Sequence, residues 1–314
     1  MIKNKNKYIV GIGAANVDIY CKSNIKIRPH YDHPSIIKTT VGGVTRNILE
    51  NLARLKQKTV LLTAVGDDIY GNLIIGKSKA VGIDTSNVLV VKNNNSGIFI
   101  QVQDSNNDMH LASCDMTINK YIDVKYIKSK DSVISCASAI ILDPSLELKV
   151  IEYILDKYKD IPIFVDPISD EYAIKIRPYL SKIYCIKPNK SELAALANMK
   201  IHSDLDLKVA FDKVNKKTKQ LFVSVGKKGC IFKNNNKVIN KKFKGVKKMI
   251  NASGAGDAFM SAIIYGYINC LKVEDTIDYA LAAGIAAIKS ESTINPNLSI
   301  KLLKTIIEEN KNEL

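Results

Sequence analysis

Ala139-Ile140-Ile141-Leu142, then Leu146 to Tyr158, then Ile161-Pro162-Ile163-Phe164-Val165-Asp166 follow one another with little between them. The outer two are short apolar runs without alternation, and the middle one repeats its apolar residues at helical spacing. Unbroken runs of Ile, Val and Leu suit strands covered on both faces, as in a parallel sheet. Parallel neighbours need a long crossover, and a helix is the usual one. The pattern extends outward to Tyr8–Gly13, Thr59–Gly66, Ile183–Lys187 and Leu221–Gly226 as strands. Helices are expected at Thr45–Lys56, with Ile48, Leu52 and Leu55 on one stripe, at Ser191–Ala197 and at Thr276–Lys289. Strands alternating with helices predict a doubly wound, mainly parallel α/β sheet flanked by helices.

Two segments depart from it. Ser35 to Val41 and Gly97 to Ser113 alternate, with Ile98, Ile100 and Val102 on one side and Phe99, Gln101 and Gln103 on the other. Such strands have one exposed face, and a small antiparallel sheet projecting as a lid is expected. Asn93-Asn94-Asn95 and Asn234-Asn235-Asn236 read as turns between strands. With no repeat and no interdomain linker, residues 1–314 read as one domain with lid strands at about 14–41 and 97–115.

Lys+Arg 46 against Asp+Glu 31 gives a net charge of +15. The excess is scattered Lys, and the arginines are Arg28, Arg46, Arg54 and Arg177, so no guanidinium cluster offers bidentate phosphate recognition. Nucleic acid is not the expected partner. Cys21, Cys114, Cys136, Cys185, Cys230 and Cys270 form no CxxC pair, which suggests neither a zinc site nor a disulfide framework and fits a reducing cytoplasm. No stretch approaches the ~18 apolar residues of a membrane span.

Asn251-Ala252-Ser253-Gly254-Ala255-Gly256-Asp257-Ala258-Phe259 carries the strongest chemical signal, and a helical run from Met260 to Asn269 follows it. Small residues let an anion approach the backbone, and free N–H groups at a helix start can hold it. Asp257 then stands where it can take a proton from an attacking hydroxyl; a capping Asp in a plain turn is the structural alternative. Gly42-Gly43 precedes Val44-Thr45-Arg46-Asn47 and permits a sugar to lie against the chain, with Asn47 in reach of its hydroxyls. Asn16 and Asp18 follow the first strand, at the end where open α/β sheets bind ligands. Gly71-Asn72-Leu73-Ile74-Ile75-Gly76-Lys77-Ser78 matches a phosphate-binding P-loop pattern, but no strand precedes it and Ile69, Leu73, Lys77 and Ala80 continue a helical stripe. It reads as a surface helix. His30 and His33 read as exposed residues of a loop, and His110 and His202 have no evident partner.

Taken together, Gly42 to Leu55, Val65-Gly66-Asp67-Asp68 with Gly71, Val81-Gly82-Ile83-Asp84, Asn189-Lys190-Ser191-Glu192 and Gly254 to Asp257 resemble, in order and spacing, the ribokinase-like (PfkB) carbohydrate kinase family. The resemblance runs from Gly11 to about Pro296. It implies an ATP-dependent kinase with Asp257 as base and Gly254, Ala255 and Gly256 as anion hole. It places Asn189 and Glu192 on Mg²⁺ and the phosphates, largely through water, and Ser224, Gly226 and Gly229 beside the nucleotide. Asn16, Asp18, Gly42, Gly43, Asn47 and Lys187 would hold the acceptor. It also implies a monovalent cation such as K⁺, although the second signature usually begins with Asp and here begins with Asn251. A homodimer formed through the lid is expected. Ser113-Cys114-Asp115-Met116 and Thr45-Arg46-Asn47 resemble the subgroup that phosphorylates pseudouridine, with Asp115 expected to accept from the N–H groups of the uracil ring. A ribokinase or other sugar kinase is the second reading, and a non-catalytic nucleoside or sugar sensor a third.

Overall fold

The computed structural model describes residues 8–28, 30–104, 109–234, 237–243, 250 and 253–312. Among them are strands β1 (Ile9–Ile12), β2 (Asn16–Ser23), β3 (Ser35–Gly42), β4 (Thr59–Leu62), β5 (Ala64–Gly66), β6 (Ile83–Asp84), β7 (Leu89–Val91), β8 (Gly97–Gln103), β9 (Met109–Asp115), β10 (Ala139–Leu142), β11 (Ile163–Val165), β12 (Cys185–Ile186), β13 (Gln220–Ser224), β14 (Cys230–Asn234) and β15 (Lys237–Lys241). The helices are α1 (Val44–Arg54), α2 (Ile69–Ala80), α3 (Val124–Ser129), α4 (Asp131–Ser135), α5 (Leu148–Lys157), α6 (Asp170–Ile176), α7 (Lys190–Ala197), α8 (Asp204–Asn215), α9 (Ala255–Ile268), α10 (Val273–Ile288) and α11 (Ile300–Asn312).

The apolar runs pair as their composition requires. The main sheet has the order β15-β14-β13-β12-β11-β10-β1-β4-β6 and is parallel from β6 to β13, with an antiparallel edge at β14 and β15. β1, β4, β10 and β11 are buried throughout. One apolar layer packs α1 and α9 to α11 against one face of the sheet, with Leu49, Phe164 and Met260 in it. The other, with Val150, Ile163 and Phe211, covers the opposite face using α5 and α8 among others. Strand order reverses at β1, between β4 and β10, so the carboxyl ends of β1 and β10 flank the crevice where such sheets bind ligands.

The small sheet has the order β3-β2-β8-β9 and is mixed, not antiparallel as expected: β2 and β8 run parallel, while β3 and β9 pair antiparallel at the edges. β2 and β8 are separated by the whole of α1 to β7, a crossover long enough to permit parallel pairing. Thr59–Gly66 is two strands, β4 in the main sheet and β5 paired with β7 in a sheet of two. Asn93–Asn95 lies between β7 and β8 as a turn, and Asn235 and Asn236 fall outside the described residues.

Candidate active site

α9 begins without a side-chain cap. Its N-cap is Gly254, at φ 77, and a Cβ there would lie 1.9 Å from the Thr293 carbonyl oxygen. Only glycine accepts both conditions. The first bond within the helix runs from the Ala258 N–H to the Gly254 oxygen at 2.9 Å, so the amides of residues 255–257 have no intrahelical acceptor. Their dipoles favour negative charge at that point.

Asp257 lies in this first turn with its side chain buried. Burial pushes its pKa up to about 7, and the nearby Asp166 charge adds to the rise; the Asn47 hydrogen bond and the Lys187 charge oppose it, while Asp18 adds a little. Asn47 Nδ2 donates to Asp257 Oδ2 at 3.0 Å. Asp166, at the carboxyl end of β11, takes Lys187 Nζ at 3.0 Å, and both side chains are buried. Burial works against the Lys187 ammonium, but Asp166, Glu192 and Asp257 outweigh it and hold its pKa above the ordinary value. A Cβ on Gly256 would lie 3.5 Å from that ammonium, so the charge sits against the first turn of α9.

α7 starts with a capping box. Asn189 Oδ1 accepts from Glu192 N at 2.9 Å, and Glu192 Oε2 accepts from Asn189 N at 2.8 Å. The Glu192 carboxylate is thereby buried beside Asp166, and burial followed by that like charge pushes its pKa up to about 7. Ser224 bridges to Asn189, which brings the β13 turn next to α7. The result is a cleft of about 1590 Å³, lined by Asn189, Ser224, Gly226, Gly229, Ala255 and Gly256 among others.

Across Asp257 lies the second half. Asp18, on β2, is buried and accepts from Asn16 Nδ2 at 2.6 Å. Its carboxylate occupies the space a Cβ on Gly42 would need, 2.2 Å away. Burial raises its pKa against the pull of Asn16, Tyr20 and Arg46. Tyr20, also on β2, brings its hydroxyl to 3.5 Å from Asp18 Oδ2 and bonds Thr293. Burial pushes that phenol up to about 12, so it stays protonated. At the carboxyl end of β10, Asp143 Oδ2 accepts from Ala14 N at 3.0 Å and Thr45 Oγ1 at 3.1 Å, and Oδ1 accepts from Ser145 N at 2.8 Å. This one carboxylate ties the β1–β2 turn to the start of α1.

The structure therefore brings Asn16, Asp18, Gly42, Gly43 and Asn47 to one side of Asp257. Lys187, Asn189, Glu192, Ser224, Gly226, Gly229 and Gly254–Gly256 lie on the other. Asp115 needs correction: it is exposed, its Oδ1 caps Thr117 N at 2.9 Å, and the register puts it on the sheet face opposite Asp18. In strands with a period of two, Asp18 shares its face with Phe99 and Cys114, and Asp115 falls on the next position. Asn251 lies outside the described residues. Asp166, Asp143, Arg46 and Tyr20 were not picked out from the sequence as site residues. The first two end apolar runs, the same signal that singled out Asp18. The P-loop-like string lies inside α2, with Lys77 exposed. His33 Nε2 accepts from the Arg28 N–H, and no group of three potential metal ligands occurs among the described residues.

A divalent cation and nucleoside triphosphate fit these residues in two respects. The cluster of Asp166, Glu192 and Asp257 holds more acid than Lys187 can balance, and the α9 amides open on the cleft. With Asn189 and Glu192 committed to the capping box, a cation would be reached through its waters, as suits Mg²⁺. No described helix is long and apolar enough to cross a membrane.

The profile of the pfkB family carbohydrate kinases matches residues 6–300. The pseudouridine kinase of Escherichia coli is 30% identical over 302 residues, covering 96% of each chain. A 5-dehydro-2-deoxygluconokinase of Clostridium botulinum is 25% identical over 99% of this chain and 96% of its own. Ribokinase of Arabidopsis thaliana, solved with ribose and ATP, superposes with a TM-score of 0.80 at 20% identity, over 96% of this chain; that chain supports the ribokinase-like fold alone. With the profile spanning nearly the whole sequence, the chain belongs to the PfkB family of carbohydrate kinases.

Proposed function

We propose that this kinase transfers the γ-phosphoryl group of ATP to the 5′-hydroxyl of pseudouridine. The observation that carries the chemistry is Asp257, a buried carboxylate at the open N-terminus of α9, between the large cleft and the Asp18 side. A carboxylate with a pKa near 7 is matched to accepting a proton from a hydroxyl at neutral pH. Gly254–Gly256 offer their N–H groups to the transferring phosphoryl, and Lys187 adds positive charge beside them. Asp18 and Asn16 grip the ribose hydroxyls, and Gly42 and Gly43 let the sugar lie close. Asn189, Glu192, Ser224, Gly226 and Gly229 serve the nucleotide and its Mg²⁺, which supplies charge neutralisation when bound. Stimulation by a monovalent cation such as K⁺ belongs to the same proposal.

The acceptor rests on likeness to the pseudouridine kinase of E. coli along the whole chain. A sugar-acid acceptor is the second reading, supported by the 5-dehydro-2-deoxygluconokinases at 24–25% identity. Pseudouridine joins its ring to ribose through carbon and so carries a second ring N–H where uridine presents a C–H, and sites built around a hydrogen bond reject analogues without it by up to ~10⁴. ADP release should therefore show kcat/KM for pseudouridine at least ~100-fold above uridine, ribose and 5-dehydro-2-deoxygluconate. A better rate with either sugar compound would overturn the acceptor while leaving the kinase in place.

We also propose pairing of two copies through the small sheet. Its face away from Asp18 exposes Ile37 (64%), Ile100 (39%) and Leu111 (62%). Sedimentation at micromolar concentration should show a dimer, and Ile37→Asp should dissociate it. A wild-type monomer would refute this.

A further inference from the structure

An asparagine carboxamide has one accepting end and one donating end, and only its neighbours decide which way it faces. Asn47 presents Nδ2 to Asp257 Oδ2 at 3.0 Å and Oδ1 to Arg46 Nη1 at 3.4 Å. A guanidinium has donors and no acceptor, so it can face only the oxygen. If the amide turned over, Oδ1 would oppose the Asp257 carboxylate while Nδ2 met the Arg46 donors.

Arg46 is itself held from several directions while buried (3% exposed). Its Nη2 pairs with Glu50 Oε2 at 2.5 Å, and its Nε donates to Ser78 Oγ on α2 at 3.3 Å. Glu50 in turn is fixed by Arg54, at 2.6 and 2.9 Å. A buried arginine costs desolvation, and its charge is met by Glu50 and, at longer range, Asp18. Arg54, on the outer turn of the same helix, also pairs with Glu50, so Glu50 keeps a partner when Arg46 is replaced.

We propose that Arg46 is a positioning residue for phosphoryl transfer: braced by Glu50 and Ser78, its guanidinium fixes the Asn47 carboxamide so that an N–H always faces Asp257. The inference rests on the reading of Asp257 as the base. Through Asn47 it keeps one carboxylate oxygen engaged and leaves the other for the acceptor hydroxyl.

The test is a double-mutant cycle on kcat with pseudouridine, or with whichever acceptor proves best, using Arg46→Met, Asn47→Ala and the pair. Arg46→Met keeps the stem length, and Glu50 retains Arg54, so the fold should survive; circular dichroism checks it. Arg46→Met should lower kcat by ~10- to 100-fold, the scale of one hydrogen bond to a charged group, with KM for ATP nearly unchanged. In the Asn47→Ala background it should do almost nothing further. Arg46→Lys keeps the charge but cannot reach Glu50 and Asn47 together, so it should behave like Arg46→Met.

The acid limb of the kcat profile supplies a second readout. Besides Asn47, the groups facing Asp257 are Asp166 and Lys187 from the ends of the main sheet, and Asp18 and Tyr20 from β2; none is substituted, and Arg46→Lys keeps the positive charge that also acts on Asp18, so a shift of the limb in that variant reports the Asn47 contact. Losing a donor that favours the carboxylate moves the limb to higher pH. Additive losses in the cycle, an unmoved limb, or full activity in Arg46→Lys would each overturn the proposal. An Asp257→Asn variant that keeps its activity would instead remove the base reading, an outcome visible independently of Arg46.

Discussion

α1 and α9 open in nearly the same way and end up with opposite uses. Each has a glycine N-cap with positive φ, 95 at Gly43 and 77 at Gly254, and neither has a side-chain cap. They pack on each other and meet where Asn47 bonds Asp257. The start of α1 is closed by the chain itself. Residues 45–52 are all buried, and the Thr45 hydroxyl is tied to Asp143. The start of α9 is left open, with Ala255 and Gly256 on the wall of the cleft. The same kind of helix start is thus enclosed in one place and open to the cleft in the other, and the surroundings decide which.

The largest effect is expected at Asp257. Asp257→Asn keeps the shape and removes the proton acceptor, so kcat should fall by ~10²–10⁴, with nucleotide affinity nearly unchanged. Retention of more than half the activity would strip α9 of its catalytic half. The two glycines sharpen the contrast. Each alanine variant forces a left-handed residue against a carbonyl, Thr293 for Gly254 and Ala14 for Gly43, at a cost on the order of 1–3 kcal/mol. At Gly43 the strain falls on an anchor, so Gly43→Ala should lower the melting temperature and the acceptor affinity. At Gly254 it falls on the proposed anion hole, so Gly254→Ala should lower kcat by ~10²–10³, the worth of a phosphoryl- or oxyanion-binding donor, with a smaller effect on KM for the acceptor. Equal effects of the two variants on kcat would erase the distinction.

A smaller effect separates activity from stability by sign. Asp257 holds its proton in the folded chain to about pH 7, against an ordinary aspartate value of 3.8, and Glu192 to about 7 against 4.5. The folded state binds more protons than the unfolded state between those values, so these groups make stability fall as pH rises through that window. Activity should rise over the same upper range as Asp257 ionises. Melting curves of the ligand-free protein should show Asp257→Asn more stable than wild type at pH 8 and equal to it at pH 4. A variant less stable at pH 8 would mean that Asp257 is not held against its burial.

The strand and helix order was legible because parallel strands announce themselves as continuous apolar runs. The small-residue start of α9 was legible because Gly254-Ala255-Gly256 stands directly ahead of a helical run and is followed by a carboxylate. The mixed small sheet was not, since alternation in β8 does not say whether β2 runs beside it or against it. Asp115 failed for a related cause: a strand fixes which residues share a face only once its register is known, and one position moves a side chain across the sheet. Asp166 and Lys187 are distant in sequence and meet at the ends of neighbouring parallel strands, a contact that no local pattern carries.

The smallest expected effect concerns a third helix start, and it tests whether an open N-terminus is what matters. Gly71 to Ser78 spells the P-loop pattern in full, yet the helix α2 begins at Ile69, ahead of the whole string, and Asp68 caps it, its Oδ1 accepting from Gly71 N at 2.7 Å. Asp68 Oδ2 also takes the Ser96 N–H at 2.8 Å, and these bonds outweigh its partial burial and hold its pKa below the ordinary value. An ionised carboxylate therefore already fills the place where a phosphate would need to sit, and it would repel one. Lys77 is exposed in the last turn of the helix. Lys77→Ala should accordingly leave kcat and KM for ATP within about twofold of wild type, since a surface lysine without a buried partner contributes little. Loss of nucleotide binding in a folded Lys77→Ala protein would mean that the motif, and not the open start of α9, governs phosphate recognition.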